Sequence, residues 1–243
     1  MGLVKPAGRF LYNALSKMVL SPLLYWEWKH RPHPRPNERP VELAFACKWL
    51  ARLYPENVLD VGSGKTAWPH LIANCGFRVT AIDDVGSYWK GGCFNRHYHV
   101  IRDDITRTRL DGEFDLVTCL STLEHIPDHR QAVSNMFRLL APGGHLLLSF
   151  PYAEESYIEN VYEHPASSVE QAPPFVCQVY SRGQISKWLE ADPGEIVDQE
   201  YYEVFTGEHW TFGERQPVPR VVPRDERHQL TCLVIRKKGQ ARR

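Results

Sequence analysis

Two glycines and one aspartate stand out because their residue types and spacing suit the binding of a nucleoside. The apolar residues 58–61 end in Gly62-Ser63-Gly64, where glycine lets the chain turn sharply and approach a ligand closely. A second strand-like run, residues 78–82, stops at Asp83. A carboxylate about 20 residues beyond such a turn is placed to accept hydrogen bonds from ribose hydroxyls. The sequence therefore predicts a nucleoside site at this turn.

Phosphate-binding loops and dinucleotide folds also use glycine turns. Gly64-Lys65-Thr66 looks like the end of a P-loop, but that loop needs a glycine five positions before Gly64, where Leu59 stands. We therefore exclude a P-loop. A dinucleotide site needs glycine or alanine three residues after Gly64, and Ala67 meets that requirement. Binding of NAD stays open at this point.

Further segments follow the turn in a fixed order. They are Arg102-Asp103-Asp104-Ile105, the apolar run 114–120 with Leu123-Glu124-His125-Ile126-Pro127, and Ala141-Pro142-Gly143-Gly144 before residues 145–148. Together with the glycine turn and Asp83, they form a series that resembles the class I S-adenosylmethionine (SAM)-dependent methyltransferases, in the branch that acts on small molecules and quinones. The resemblance covers roughly residues 40–150. Thr66 departs from it, because the family often has a third glycine at that position.

The resemblance and the alternation of strand-like and helix-like segments both indicate an α/β fold. Such alternation forms a parallel, doubly wound sheet, and ligands bind beyond the carboxyl ends of its strands. The family pattern implies a Rossmann-like sheet of seven strands in the order 3-2-1-4-5-7-6, with the last strand antiparallel. The expected strands are residues 57–61, 78–82, 98–102, 114–120, 145–150, 197–205 and 230–237. Helices are expected over residues 41–54, 66–75 and 182–190, and a loop over residues 86–98.

The cofactor that the resemblance implies is SAM. Asp83 is expected at its ribose, and Asp104, or Asp103 one position away, at its adenine amino group. Asp60 lies inside a strand, where a charge needs a partner, and we expect it to order the glycine turn. The full set of expected cofactor-binding residues is Asp60, Gly62, Ser63, Gly64, Asp83, Asp84, Asp104, Ile105 and Leu120.

Methyl transfer from a sulfonium needs binding, orientation and, for an oxygen or nitrogen acceptor, a place for a proton. No metal is required. His125 follows the fourth strand and is the first candidate base, although in resembling enzymes this segment often only packs beside the cofactor and shapes the site. Tyr152, Tyr157 and His164 are further catalytic candidates. They lie in the tyrosine- and glutamate-rich segment 151–171, which should overhang the site, and each could also be an ordinary lid side chain.

These features predict a SAM-dependent methyltransferase for a small or medium-sized acceptor, with an oxygen of a hydroxylated metabolite or glycan as the target. Leu120-Ser121-Thr122-Leu123 replaces the Asn/Asp-Pro-Pro-aromatic motif of nucleic-acid adenine methyltransferases. The net charge of zero and the pI near 7.2 also give no field that would recruit nucleic acid. The alternatives are a catalytically silent SAM-binding scaffold and an NAD-dependent enzyme.

The chain length predicts the domain organisation, and the cysteine pattern indicates the cellular compartment. The 243 residues suit one methyltransferase domain over 41–243, with a cofactor half (41–150) and an acceptor half (151–243), after a leader over 1–40. Six scattered cysteines without a Cys-x-x-Cys pair favour reduced thiols in a cytoplasmic protein over disulfides or a zinc site.

The leader allows more than one interpretation. Phe10, Leu11, Leu15, Met18 and Val19 recur at helical spacing. The first 26 residues contain three basic residues and no acid, and two tryptophans close the segment. We expect a helix that forms a lid over the cofactor mouth. A basic amphipathic helix that contacts a membrane surface is the main alternative, and a transit peptide is a further one.

Overall fold

The computed structural model describes residues 6–29, 37–84, 95–171 and 173–239. The loop expected over 86–98 lies mostly outside these residues, and so do the prolines of 31–36. Within the first helix, the structure does not describe the side chains of residues 6, 7, 9, 27 and 28, which include one of the two leader tryptophans. The chain divides into two units, Met1–Arg39 and Pro40–Arg243.

The first unit contains one long helix, α1 (Pro6–Lys29). Its large apolar side chains between residues 10 and 26 are 41 to 78% exposed. They are Phe10, Leu11, Tyr12, Leu15, Met18, Val19, Leu20, Leu23, Leu24, Tyr25 and Trp26. Among the described residues, no helix combines the length and the apolar character needed to cross a bilayer.

The second unit alternates helices and strands. Its first half contains α2 (Arg39–Leu53), β1 (Asn57–Val61), α3 (Trp68–Asn74), β2 (Arg78–Asp83), β3 (Val100–Arg102), β4 (Phe114–Leu120) and α4 (His129–Leu139). Its second half contains β5 (Leu140–Pro151), α5 (Arg182–Ala191), β6 (Gly194–Phe205), β7 (Arg215–Val222) and β8 (Leu230–Lys237). Short 3₁₀ turns lie at Leu123–His125 and Val161–Glu163.

The eight strands of the described residues form one sheet in the order β3-β2-β1-β4-β5-β8-β6-β7. Strands β1 to β5 pair in parallel, whereas β8 is antiparallel to both β5 and β6. The central strands β1 and β4 are buried along most of their length, as parallel strands covered by helices on both faces must be. The structure therefore confirms the α/β doubly wound class and the antiparallel last strand.

The strand count differs from the expected seven because β7 forms an additional edge strand. Its sequence, Arg-Gln-Pro-Val-Pro-Arg-Val-Val, contains Pro217 and Pro219, which argue against a strand. Proline lacks the N–H that a central strand needs on both sides, but an edge strand pairs on one side only. β7 pairs with β6 alone, so the edge position explains how this segment becomes a strand.

Helices cover both faces of the sheet with separate apolar cores. One core packs α2 and α3 against the sheet through Phe45, Trp49, Trp68 and Ile72. The other packs α4 and α5 through residues that include Met136 and Trp188. The two layers hold the strand ends in register, so that Val61 pairs with Ile82 and the carboxyl ends of β1, β2 and β4 lie along one edge.

The helix after the glycine turn is shorter than expected. It was predicted over residues 66–75 but spans Trp68–Asn74, with Pro69 in its first turn. Thr66 lies in the turn itself, where its hydroxyl donates to the carbonyl of Ser63 at 2.8 Å. The residue that replaces the third family glycine therefore closes the turn rather than starting the helix, and Pro69 removes one N–H from the helix start.

Candidate functional site

The glycine turn packs tightly against the segment that follows β4. Gly62 has φ +78°, and a Cβ at this position would lie 2.1 Å from Cγ2 of Thr122. The Gly62 N–H donates to the carbonyl of Ile82 at 2.9 Å, which ties the turn to β2. Only glycine meets both the backbone conformation and the contact with Thr122.

Asp60 connects the glycine turn to strand β4 through hydrogen bonds. It is buried at the end of β1, and its two carboxylate oxygens accept hydrogen bonds from different elements. Oδ2 accepts from the Ser63 hydroxyl at 2.6 Å and Oδ1 from the Thr118 hydroxyl on β4 at 2.8 Å. A buried carboxylate with such partners fixes the turn to the neighbouring strand.

Asp83 ends β2 directly beside the turn. Its Oδ2 accepts a hydrogen bond from the Gly64 N–H at 2.7 Å. Burial raises the pKa of this carboxyl, the Gly64 N–H opposes that shift, and the neighbouring Asp84 adds to it. Among the described residues, a Cβ on Gly64 would meet Oδ2 of Asp83 alone, at 3.9 Å. The turn and this carboxylate thus fit the ribose end of a nucleoside cofactor.

The acids after β3 are both engaged in their own turn. Oδ1 of Asp104 accepts from the Thr106 N–H and hydroxyl, and its Oδ2 pairs with Arg107 at 2.9 Å. Asp103 accepts from the Asp104 N–H and the Thr108 hydroxyl. Both acids follow β3 at the edge that carries Asp83, whose carbonyl accepts from the Asp103 N–H at 3.2 Å. The assignment of Asp104, or of Asp103, to the adenine stays a prediction.

The remaining expected cofactor residues lie at the same edge. Ser63 is buried beneath the turn, Ile105 and Leu120 are buried in the two apolar cores, and Asp84 is half-buried after β2. Asn95 was not among the expected residues, yet its side-chain amide donates to the carbonyls of Gly64 and Thr66 at 3.0 and 2.9 Å. Asn95 thus stabilises the glycine turn from a position about 30 residues further along the chain, and no sequence motif identifies it.

The four catalytic candidates fall into three separate neighbourhoods. His125 and Tyr157 share one of them. Nδ1 of His125 lies 2.7 Å from the carbonyl of Val176, and the Tyr157 hydroxyl donates to Gln178 at 2.7 Å. Gln178 in turn donates to the carbonyl of Ile126, at 2.8 Å, and so connects Tyr157 to the segment of His125.

Tyr152 and His164 lie elsewhere. Tyr152 is fully buried, donates to Glu154 at 2.8 Å and stacks on His228, so its pKa is raised by burial and by that hydrogen bond. His164 is exposed, and its ring packs against Phe212 at a centroid distance of 4.7 Å. The roles of all four residues stay predictions.

Comparison with known proteins assigns the family. Residues 28–192 match the family model described as a methyltransferase domain. The chain belongs to the class I SAM-dependent methyltransferases. This match spans the glycine turn, Asp83 and the segment after β4, which are the features that form the site.

Individual relatives agree with this family. The chain is 31% identical over 150 residues to the ubiquinone biosynthesis O-methyltransferase of Xanthomonas oryzae pv. oryzae, a match that covers 59% of this chain and 62% of that protein. It is 31% identical over 132 residues to the protein of the same name from Alkalilimnicola ehrlichii, with coverage of 51% and 53%. The chain thus spans less than two thirds of the length of these curated relatives.

Solved structures share the fold at low identity. The 1,6-didemethyltoxoflavin-N1-methyltransferase of Burkholderia thailandensis, solved with S-adenosylhomocysteine, matches with a TM-score of 0.53 and 18% identity over 98% of this chain and 93% of its own. A SAM-dependent methyltransferase from Thermotoga maritima matches with a TM-score of 0.53 and 15% identity, over 93% and 99%. These neighbours establish the Rossmann-like methyltransferase fold.

Proposed function

We propose that this protein transfers the methyl group of SAM to an oxygen of a small or medium-sized hydroxylated acceptor. The position of the Asp83 carboxylate at the Gly62–Gly64 turn, where it accepts from the Gly64 N–H at 2.7 Å, is the observation that carries the proposal. When bound, SAM supplies a methyl group on a sulfonium, and the transfer is an in-line displacement. The residues of the chain bind and orient the reactants and accept the proton of the hydroxyl.

The choice of oxygen rests on the relatives with the higher sequence identity. The curated proteins at 31% identity are O-methyltransferases, whereas the N-methyltransferase structure from Burkholderia thailandensis is 18% identical. A structure that is 18% identical shares the fold with this chain, and a shared fold does not determine the acceptor atom. The hydroxyl- and amide-bearing side chains of Tyr157 and Gln178 near His125 also suit a hydroxylated acceptor.

His125 has a geometry that suits a base. Its Nδ1 must carry the proton in order to donate to the carbonyl of Val176, so the neutral ring has its lone pair on Nε2. Nε2 lies 3.8 Å from Oε1 of Glu124, a carboxylate that would stabilise the ring after it gains a proton. The Phe175 ring meets His125 edge-on at 5.0 Å and holds its orientation.

Titration calorimetry with an Asp83→Asn variant tests the cofactor assignment. Asparagine keeps an oxygen for the Gly64 N–H but removes the charge, so SAM affinity should fall by roughly 1–3 kcal/mol while the fold persists. Asp111→Asn, at an exposed turn, is the matched control and should bind SAM as the parent does. Equal affinity in both variants would show that Asp83 does not contact the ribose.

The same titration separates the alternative functions. Binding of NAD in place of SAM would identify a nucleotide-dependent redox enzyme. Binding of SAM without transfer of a labelled methyl group to hydroxylated or amine-bearing acceptors would identify a silent scaffold. Transfer to hydroxylated acceptors in preference to amines is the result expected from the proposed function.

We further propose that α1 contacts an anionic lipid surface. Leu11, Leu15, Met18 and Trp26 follow one side of this helix, and all of them are exposed. The helix contains Arg9, Lys17 and Lys29 against a single acid, Glu27, so its charge complements anionic headgroups. Because α1 lacks the apolar character to span a bilayer, it would lie in the interface.

A further inference from the structure

A strained serine lies beside the residue that packs on the glycine turn. Ser121 directly follows β4, and its neighbour Thr122 contacts the glycine turn at Gly62. Ser121 has φ +42°, a conformation that costs a non-glycine residue about 1–3 kcal/mol. The Ser121 N–H donates at 3.0 Å both to the carbonyl and to the hydroxyl of Ser149 on β5, and these bonds hold it in place.

The hydroxyl of Ser121 donates to a fully buried carboxylate. Glu42 lies in the first turn of α2, and its Oε1 accepts from the Ser121 hydroxyl and, at 2.7 Å, from the Ser149 hydroxyl. Burial of a carboxylate is costly, although the N-terminal end of a helix favours its charge. The strained backbone of Ser121 and the buried carboxylate of Glu42 each lower the stability of the fold. Apolar side chains could fill the same space without either loss, so packing alone does not explain the pair.

We propose that Ser121 and Glu42 form a proton relay for the acceptor hydroxyl. The inference rests on the proposed function, because it needs a hydroxylated acceptor beside β4. The acceptor O–H gives its proton to Oγ of Ser121 as the Ser121 hydroxyl proton passes to Oε1 of Glu42. The electron pair left on the acceptor oxygen forms the new bond to the methyl carbon, and the carbon–sulfur bond breaks with its pair going to sulfur. Glu42 then returns the proton to water by the same path.

The half-buried Ser121 is the member of the pair that would touch the acceptor, whereas Glu42 acts through it. The relay is an alternative to His125 as the destination of this proton, which here ends on a carboxylate that solvent does not reach. Ser149 contacts the same carboxylate oxygen and also accepts from the Ser121 N–H, so it supports both members of the pair. The exposed Ser186 on α5 has no contact with the pair's hydrogen bonds and gives a matched serine-to-alanine comparison.

Absorbance spectroscopy with 4-nitrocatechol tests the relay without turnover. This chromophoric hydroxyl compound is added to the protein saturated with S-adenosylhomocysteine, and its ionised form is followed as the pH is raised. In the parent protein and in Ser186→Ala, the bound probe should ionise at a pH at least about one unit below that of the free probe, a tenfold change in the equilibrium. In Glu42→Gln and Ser121→Ala this shift should disappear.

Calorimetry and labelled methyl transfer complete the test. The four proteins should bind SAM with affinities within about twofold of one another. Turnover of 4-nitrocatechol should fall at least tenfold in Glu42→Gln and in Ser121→Ala, and in no other of these proteins. Glu42→Asp, which keeps a carboxylate, should recover part of the turnover lost in Glu42→Gln. Equal probe spectra in the parent and in Glu42→Gln would overturn the relay while SAM binding and transfer persist. Loss of SAM binding in the parent protein would overturn the proposed function instead.

Discussion

At the scale of single residues, Gly62 is the position where backbone conformation and packing coincide. Alanine at this position would need φ near +78° and would place its Cβ 2.1 Å from Thr122. We expect Gly62→Ala to lower the free energy of unfolding by about 1–3 kcal/mol from the backbone conformation alone, with the steric overlap adding to this loss. Urea denaturation of the parent and the variant measures the difference.

Gly64→Ala is the matched control for that substitution. Gly64 also has positive φ, +51°, but within the described ranges an added Cβ would meet Asp83 alone, at 3.9 Å. Its loss of stability should therefore be limited to the backbone cost, about 1–2 kcal/mol. If the two alanine variants were equally stable, the close approach of Thr122 to Gly62 would not be a reason for glycine at position 62.

At the scale of elements, the junction of α4 and α5 should make stability depend on pH. His129 begins α4, is buried, and accepts a hydrogen bond on Nδ1 from Nε1 of Trp188 at 3.0 Å. Burial, with Arg130 and Lys187 contributing, lowers the pKa of His129 from 6.5 to about 4. The folded protein therefore keeps this ring neutral at a pH where the unfolded chain already binds a proton.

This depressed pKa fixes the sign of the effect. The contribution of His129 to stability is fully present above pH 6.5 and is lost as the pH falls from 6.5 to about 4, by on the order of 3 kcal/mol. Denaturation curves collected across this range measure the loss. His129→Asn keeps an acceptor for Trp188 but does not titrate. Between pH 6.5 and about 4, its free energy of unfolding should therefore fall by about 3 kcal/mol less than that of the parent protein. The same acid sensitivity in both proteins would assign the loss to other groups.

The elements also show what the sequence could and could not predict. Short-range patterns locate β1, β2 and β4, and therefore the edge that carries Gly62 and Asp83, because apolar runs and glycine turns are local signals. Glu42 could not be identified, because its significance depends on serines 79 and 107 positions away that only the folded sheet brings to it. A lone glutamate early in an amphipathic helix otherwise indicates a solvent-exposed position.

At the scale of the whole molecule, α1 gives a testable partner. The parent protein should co-sediment with phosphatidylglycerol vesicles at low salt, bind phosphatidylcholine vesicles more weakly, and lose binding as salt is raised. Leu15→Asp places a charge among the exposed apolar side chains and should weaken binding at least tenfold. Asn13→Asp makes the same charge change on the opposite side of the helix and should cost about fivefold or less.

A chain that starts at Asn37 completes this experiment. It should not bind vesicles, and it should keep the SAM affinity of the parent. The lid hypothesis for the leader makes the opposite prediction, with no vesicle binding by either protein and weaker SAM binding after truncation. Concentration-dependent dimers that Leu15→Asp abolishes would instead identify a second copy of the chain as the partner of α1.

The two outer strands of the sheet have a consequence for solubility. Exposed strand edges can recruit strands from other chains and so start aggregation. In the part of the chain that the structure describes, one border is β3, only 3 residues long. The other border is β7, in which Pro217 and Pro219 each remove an N–H donor. Among the described residues, neither border offers a long unbroken row of N–H donors, so we expect both edges of the sheet to resist pairing with strands of other chains.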